Sequence, residues 1–104
     1  MKIYFLLPLI LFSRFSLAAD ALSADQVKAK AITCGACHGQ AGVSANPLWP
    51  NLAGQKAEYM AKQLRDFKAG KRQNELMSPM AQTLSEADIT ALSNYFASLS
   101  PVTP

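Results

Sequence analysis

The sequence is poor in the side chains that build most chemical sites. It has two cysteines and one histidine in 104 residues. A structural zinc site takes four ligands, so ligand count argues against zinc. A single histidine also excludes a bis-histidine metal site within one chain. No stretch alternates apolar and polar residues with period two over a useful length, so strands are not expected and the chain reads as all-α. Repeats and low-complexity segments are absent. Charge is scarce as well: charged residues make up 16% of the chain, with a formal net charge of +3.

The longest apolar run, Ile3 to Phe12, follows Lys2 and is too short to span a bilayer. With the small residues Ser16 and Ala18 behind it, it reads as a secretory signal peptide cleaved near Ala18 or Ala19. The expected organisation is therefore a signal segment over 1–19 and one domain over 20–104, exported to the periplasm without stable membrane insertion. Without Lys2 and Arg14, eight basic side chains face seven acidic ones, and the net charge falls to +1. That balance gives no reason to expect a nucleic-acid partner. A chain of this size buries only a modest core and usually needs a disulfide, metal or cofactor to hold it.

Three helical stretches are legible. The first runs from about Ala24 to Ala36, with Ser23 and Gln26 spaced as a capping box. The second covers about Gln55 to Ala69, with Met60, Leu64 and Phe67 at helical spacing and Gly70 as its stop. The third follows Ser85, with Asp88 three residues on, and carries Ile89, Leu92, Phe96 and Leu99 on one stripe before Pro101. Between them, Gly39 to Gly54 reads as turns and extended chain, and Lys71 to Thr83, which contains Pro79, as a loop.

Both cysteines and the histidine fall in one stretch, "TCGACHGQAG", Thr33 to Gly42. In the exported compartment Cys34 and Cys37 could form a disulfide, but such a bond would close a very short loop. A thioredoxin-like pair would need a βαβ pattern, which is missing. The remaining reading of C-x-x-C-H is covalent haem. Both thiols add to the vinyl groups of the porphyrin, and His38 offers its imidazole to the iron. Three residues are roughly one helical turn, which lets both sulfurs reach one ring edge. For the other face of the iron, the soft thioethers of Met77 and Met80, which flank Pro79, are the candidates, while Met60 belongs to the apolar stripe of its helix.

These residues resemble class I c-type cytochromes, and most closely the single-domain, monohaem relatives of the two-haem members of that class. The likeness extends over "CGACHGQAGVSANPLWPNLAGQ", "KQLRDFKAGKR" and "MSPMAQTLSEADITALSNYFASL", nearly all of the chain after the signal segment. It implies a small fold of three main helices and loops wrapped around one haem c, held by thioethers to Cys34 and Cys37 with His38 as proximal ligand. It further implies that the carbonyl of Pro47 accepts the other ring N–H of His38. Counting back from Leu84 by the family's pattern, it implies Met77 as the distal ligand, with Met80 as the alternative. Trp49 and Tyr59 look like haem-pocket residues, or else ordinary aromatic core. Many class I members have a glycine in the first helix near the place where Val27 stands, so the contact with the last helix is expected to be wider or shifted.

The implied function is one-electron transport between redox partner proteins, with no substrate transformed. The alternatives are a haem subunit of a larger oxidoreductase complex, and a haem protein that opens its iron to small ligands. Charge is unevenly placed. Six basic residues between Lys56 and Arg72 face Glu58 and Asp66, whereas Glu75, Glu86 and Asp88 follow with no basic residue. This asymmetry could orient the molecule toward an acidic partner, but solvated helix faces account for it more simply.

Overall fold

A computed structural model of the chain describes residues 1–3, 10–11 and 21–102. The signal segment read from the sequence falls largely outside them. The described residues form four α-helices: α1 (Ala24–His38), α2 (Ala57–Ala69), α3 (Met77–Gln82) and α4 (Glu86–Ala97). They contain no strand. None of these helices is long and apolar enough to cross a membrane.

Two helices begin on reciprocal caps, as their sequences require. At α1 the Gln26 N–H donates to Ser23 Oγ (3.2 Å) and the Ser23 N–H donates to Gln26 Oε1 (2.8 Å). At α4 the Asp88 N–H donates to Ser85 Oγ (3.1 Å) and the Ser85 N–H to Asp88 Oδ2 (3.0 Å). Each box satisfies backbone donors that the first turn leaves without intrahelical partners. Gly70 ends α2, its N–H bonded to the Phe67 carbonyl at 3.3 Å.

The stretch read as a loop from Lys71 to Thr83 contains a fourth helix, α3, which sequence reasoning missed. Pro79 was the misleading signal. It occupies the third position of the helix, inside the first turn, where a missing N–H costs no intrahelical bond. Asn74 starts the turn from outside by accepting from the N–H groups of Leu76 and Met77, both at 2.9 Å. A helix of six residues has little stability of its own, so packing against α2 must hold it.

The core forms where α4 packs against both α1 and α2. Val27 and Ala31 from α1, Met60 from α2, and Leu92 and Phe96 from α4 make one buried cluster. Ile89 is fully enclosed. Met60 is thus a packing residue, as its place on the helical stripe predicts. Val27 lies in the core with Leu92 and Phe96, so α1 and α4 meet through a branched side chain there. Lys30 on α1 reaches Asp88 on α4 at 3.3 Å. The Asp88 carboxyl is held below its ordinary range first by the Ser85 backbone N–H, and further by Lys30, against the opposing effect of burial.

Candidate functional site

The sequence predicts that α1 stops before the second cysteine, yet the helix runs through His38, so all of Cys34 to His38 lies on its last turn and a half. Cys34 and Cys37 are therefore neighbours on one face. No disulfide joins them. Cys34 is half-buried and packs against the core cluster, and burial pushes its thiol pKa up, opposed by a backbone hydrogen bond. Cys37 is exposed. Gly35 between them is buried beneath the side chain of Gln40, whose amide donates to the Ile32 carbonyl at 3.2 Å.

His38 is only 7% exposed. Its Nδ1 lies 2.7 Å from the carbonyl oxygen of Pro50. A carbonyl can only accept, so Nδ1 carries the proton and Nε2 presents its lone pair. Such an outer hydrogen bond fixes the tautomer and orientation of a ligating imidazole.

The acceptor corrects the expectation from the resemblance, which was the carbonyl of Pro47. Asn46 and Pro47 occupy the first two places of a tight turn closed by the Trp49 N–H on the Asn46 carbonyl at 3.1 Å. Asparagine and proline favour those two places. Pro47 therefore stands exposed at the turn tip, and the chain comes back to the histidine only at Pro50. The Asn-Pro dipeptide was the signal that could have separated the two prolines.

The approach to that turn depends on two glycines with positive φ. A Cβ on Gly39 (φ 83°) would collide with the Val43 carbonyl, and one on Gly42 (φ 75°) would lie 2.8 Å from the Ala53 nitrogen. Glycine alone tolerates both the dihedral and the contact.

The methionines stand on a different wall. Met77 is the first residue of α3 and half-buried, whereas Met80 is 39% exposed. Among the described residues α3 packs on α2 and makes no packing contact with α1, so histidine and methionine donors come from separate elements. Trp49 is half-buried in the 39–54 loop, and Tyr59, in the first turn of α2, is 50% exposed. No hydrogen bond or ring contact ties either side chain to His38 among the described residues.

The donor set fits haem c. Two cysteine side chains share one helix face, the next residue turns its Nδ1 to a carbonyl and leaves Nε2 for a metal, and thioethers stand on another element.

Four of the six basic side chains between Lys56 and Arg72 are tied to neighbours. Lys62 pairs with Asp66 at 2.5 Å and Arg65 with Glu86 at 3.0 Å. Arg72 lies over the Phe67 ring at 4.5 Å and donates to Gln63 at 2.7 Å. Lys68 donates to the Leu84 carbonyl. These ties favour solvated helix faces over a docking patch.

Residues 24–100 match the family model described as Cytochrome c. Cytochrome c4 of Thiocapsa roseopersicina is 48% identical over 81 residues, 78% of this chain and 41% of that protein. Cytochrome c-554(548) of Halomonas halodenitrificans is 39% identical over 78% of this chain and 98% of its own length. Among solved structures, the thiosulfate dehydrogenase of Marichromatium purpuratum matches 67% of this chain and 15% of its own, with 38% identity and a TM-score of 0.62. The chain thus spans about two-fifths of the cytochrome c4 it matches, but nearly the whole of the smaller relative.

Proposed function

Because the chain belongs to the cytochrome c family and carries haem c bound covalently through Cys34 and Cys37, we propose that it is an exported, periplasmic one-electron carrier. The haem supplies an iron that alternates between the ferric and ferrous states. The observation that carries the reading is the bond from His38 Nδ1–H to Pro50, which leaves Nε2 free for the iron. His38 is then the proximal ligand. Met77 is the distal ligand, supported by its greater burial and by the Asn74 cap at its own N–H, with Met80 as the alternative.

The protein's part is to hold both donors in place in either redox state. Buried His38 cannot rotate without breaking its bond to Pro50, and α3 is fixed to α2 through packing and through Gln82, whose side chain donates to the Lys68 carbonyl at 2.5 Å. Fixed donors and a low-polarity shell keep the rearrangement on electron transfer small. No substrate is transformed, and the partners are redox proteins that give and take the electron. A second reading, a haem subunit within a larger oxidoreductase, is favoured by the solved thiosulfate dehydrogenase, of which a chain like this one would be a small part.

The visible spectrum of protein purified from the periplasm tests the proposal. A low-spin c-type spectrum is expected, with the weak long-wavelength ferric band of iron–methionine ligation. That band should vanish in Met77→Ala and persist in Met80→Ala. The reverse pattern would assign Met80, and absence of haem from the wild-type protein would defeat the reading. Co-purification with a large enzyme would favour the subunit alternative.

A further inference from the structure

Resting on that reading, we propose that Ser44 and Asn51 are positioning residues: together they clasp the Pro50 carbonyl onto His38 and thereby help set the reduction potential. The Pro50–Asn51 peptide carries the oxygen that the histidine uses. Its direction depends on ψ of Pro50 and φ of Asn51, and the proline ring fixes only the φ before them. Beyond the peptide, the Asn51 side chain takes the Ser44 N–H at 2.7 Å. The next two N–H groups, of Leu52 and Ala53, both donate to the Gly42 carbonyl, at 2.8 and 2.9 Å. The chain that follows the peptide is therefore held at Asn51, Leu52 and Ala53.

Ser44 connects this grip to the histidine's own helix. Its Oγ donates to the Asn46 carbonyl at 3.0 Å, with a longer contact of 3.4 Å to the carbonyl of Cys37, the residue before His38. The same Oγ accepts from the Asn46 N–H at 3.1 Å. One serine thus joins the end of α1, the turn and the strand of chain that returns to Pro50. Both side chains lie outside the apolar core, so their contribution is to geometry more than to burial.

The chemical consequence follows from the direction of the bond. Nδ1–H donating to a well-aimed carbonyl makes Nε2 more electron-rich, and a more electron-rich donor favours the ferric state. Loosening the clasp weakens that bond and raises the potential.

The test uses the haem-loaded protein, with attachment confirmed by the visible spectrum of each variant. Two readouts are taken: the reduction potential, and the exchange rate of the His38 Nδ1 proton in ferrous protein by NMR. Asn51→Ala is expected to accelerate exchange about tenfold and raise the potential, as loss of one aligning hydrogen bond implies. Ser44→Ala, which keeps its N–H for Asn51, should shift both in the same direction by less. Asn51→Asp retains the acceptor oxygen and should restore slow exchange. Gln40→Ala removes a side-chain bond to α1 without touching the Pro50 loop, and should leave exchange unchanged. Haem-loaded Asn51→Ala and Ser44→Ala proteins with wild-type exchange and potential would overturn the proposal, as would equal acceleration by Gln40→Ala. A wild-type chain without haem would instead remove the carrier reading beneath it.

Discussion

The histidine side and the methionine side of the site are held by different means. On the histidine side the donor sits at the end of a 15-residue helix, is buried, and is tied to a loop that is itself braced by side-chain and backbone hydrogen bonds. On the methionine side the donors sit on a six-residue helix with no side-chain bond from its cap residue Leu76, leaning on α2 and started by Asn74. The first wall is stiff by its own connectivity, while the second depends on its neighbour. On the proposed ligation, the methionine side should let go of the iron more readily than the histidine side.

The comparison can be broken most severely by removing what both walls share. Phe96 is buried in α4, which packs on α1 and on α2, and its carbonyl accepts the Gly54 N–H at 3.0 Å. Phe96→Ala should cost about 3–5 kcal/mol in denaturant unfolding of the haem-loaded protein and weaken both sides together. Gly39→Ala strikes the histidine side alone. It forces a side chain into the left-handed region against the Val43 carbonyl, with an expected cost of about 1–3 kcal/mol and reduced haem incorporation, read from the ratio of haem to protein absorbance.

Asn74→Ala strikes the methionine side alone. Loss of its cap should cost about 1 kcal/mol and accelerate amide exchange in α3 while leaving the His38 Nδ1 proton protected. If exchange rises equally on both sides, the walls are not independent. The smallest effect belongs to Asp88, which ties α4 to α1. Its folded pKa lies below the unfolded value, so its contribution is complete above the unfolded carboxylate pKa and is lost as pH falls through the folded one. Asp88→Asn should flatten that acid limb of the stability profile and leave neutral-pH ligand spectra unchanged.

Much of the site was legible because its signals are local. The two capping boxes lie within four residues each, the C-x-x-C-H spacing lies within about one helical turn, and the chemistry of thiol, imidazole and thioether follows from residue type. Ligand count alone removed zinc. The apolar stripe of the last helix placed Ile89, Leu92 and Phe96 in the core, where they are found. Leu99, further along the same stripe, is only half-buried near the helix end.

What the sequence determined by itself was therefore the helical class, the three long helices, and the Cys34, Cys37 and His38 cluster that calls for haem c. Tertiary structure decided the rest. Pro79 argues against a helix until its place in the first turn, the Asn74 cap and the α2 surface make α3 possible. Asn46-Pro47 marks a turn, but only the path of the chain after that turn brings the Pro50 carbonyl, and not that of Pro47, onto His38. In both cases the deciding interaction joins groups distant along the chain or depends on the direction of a loop, and no local spacing encodes either.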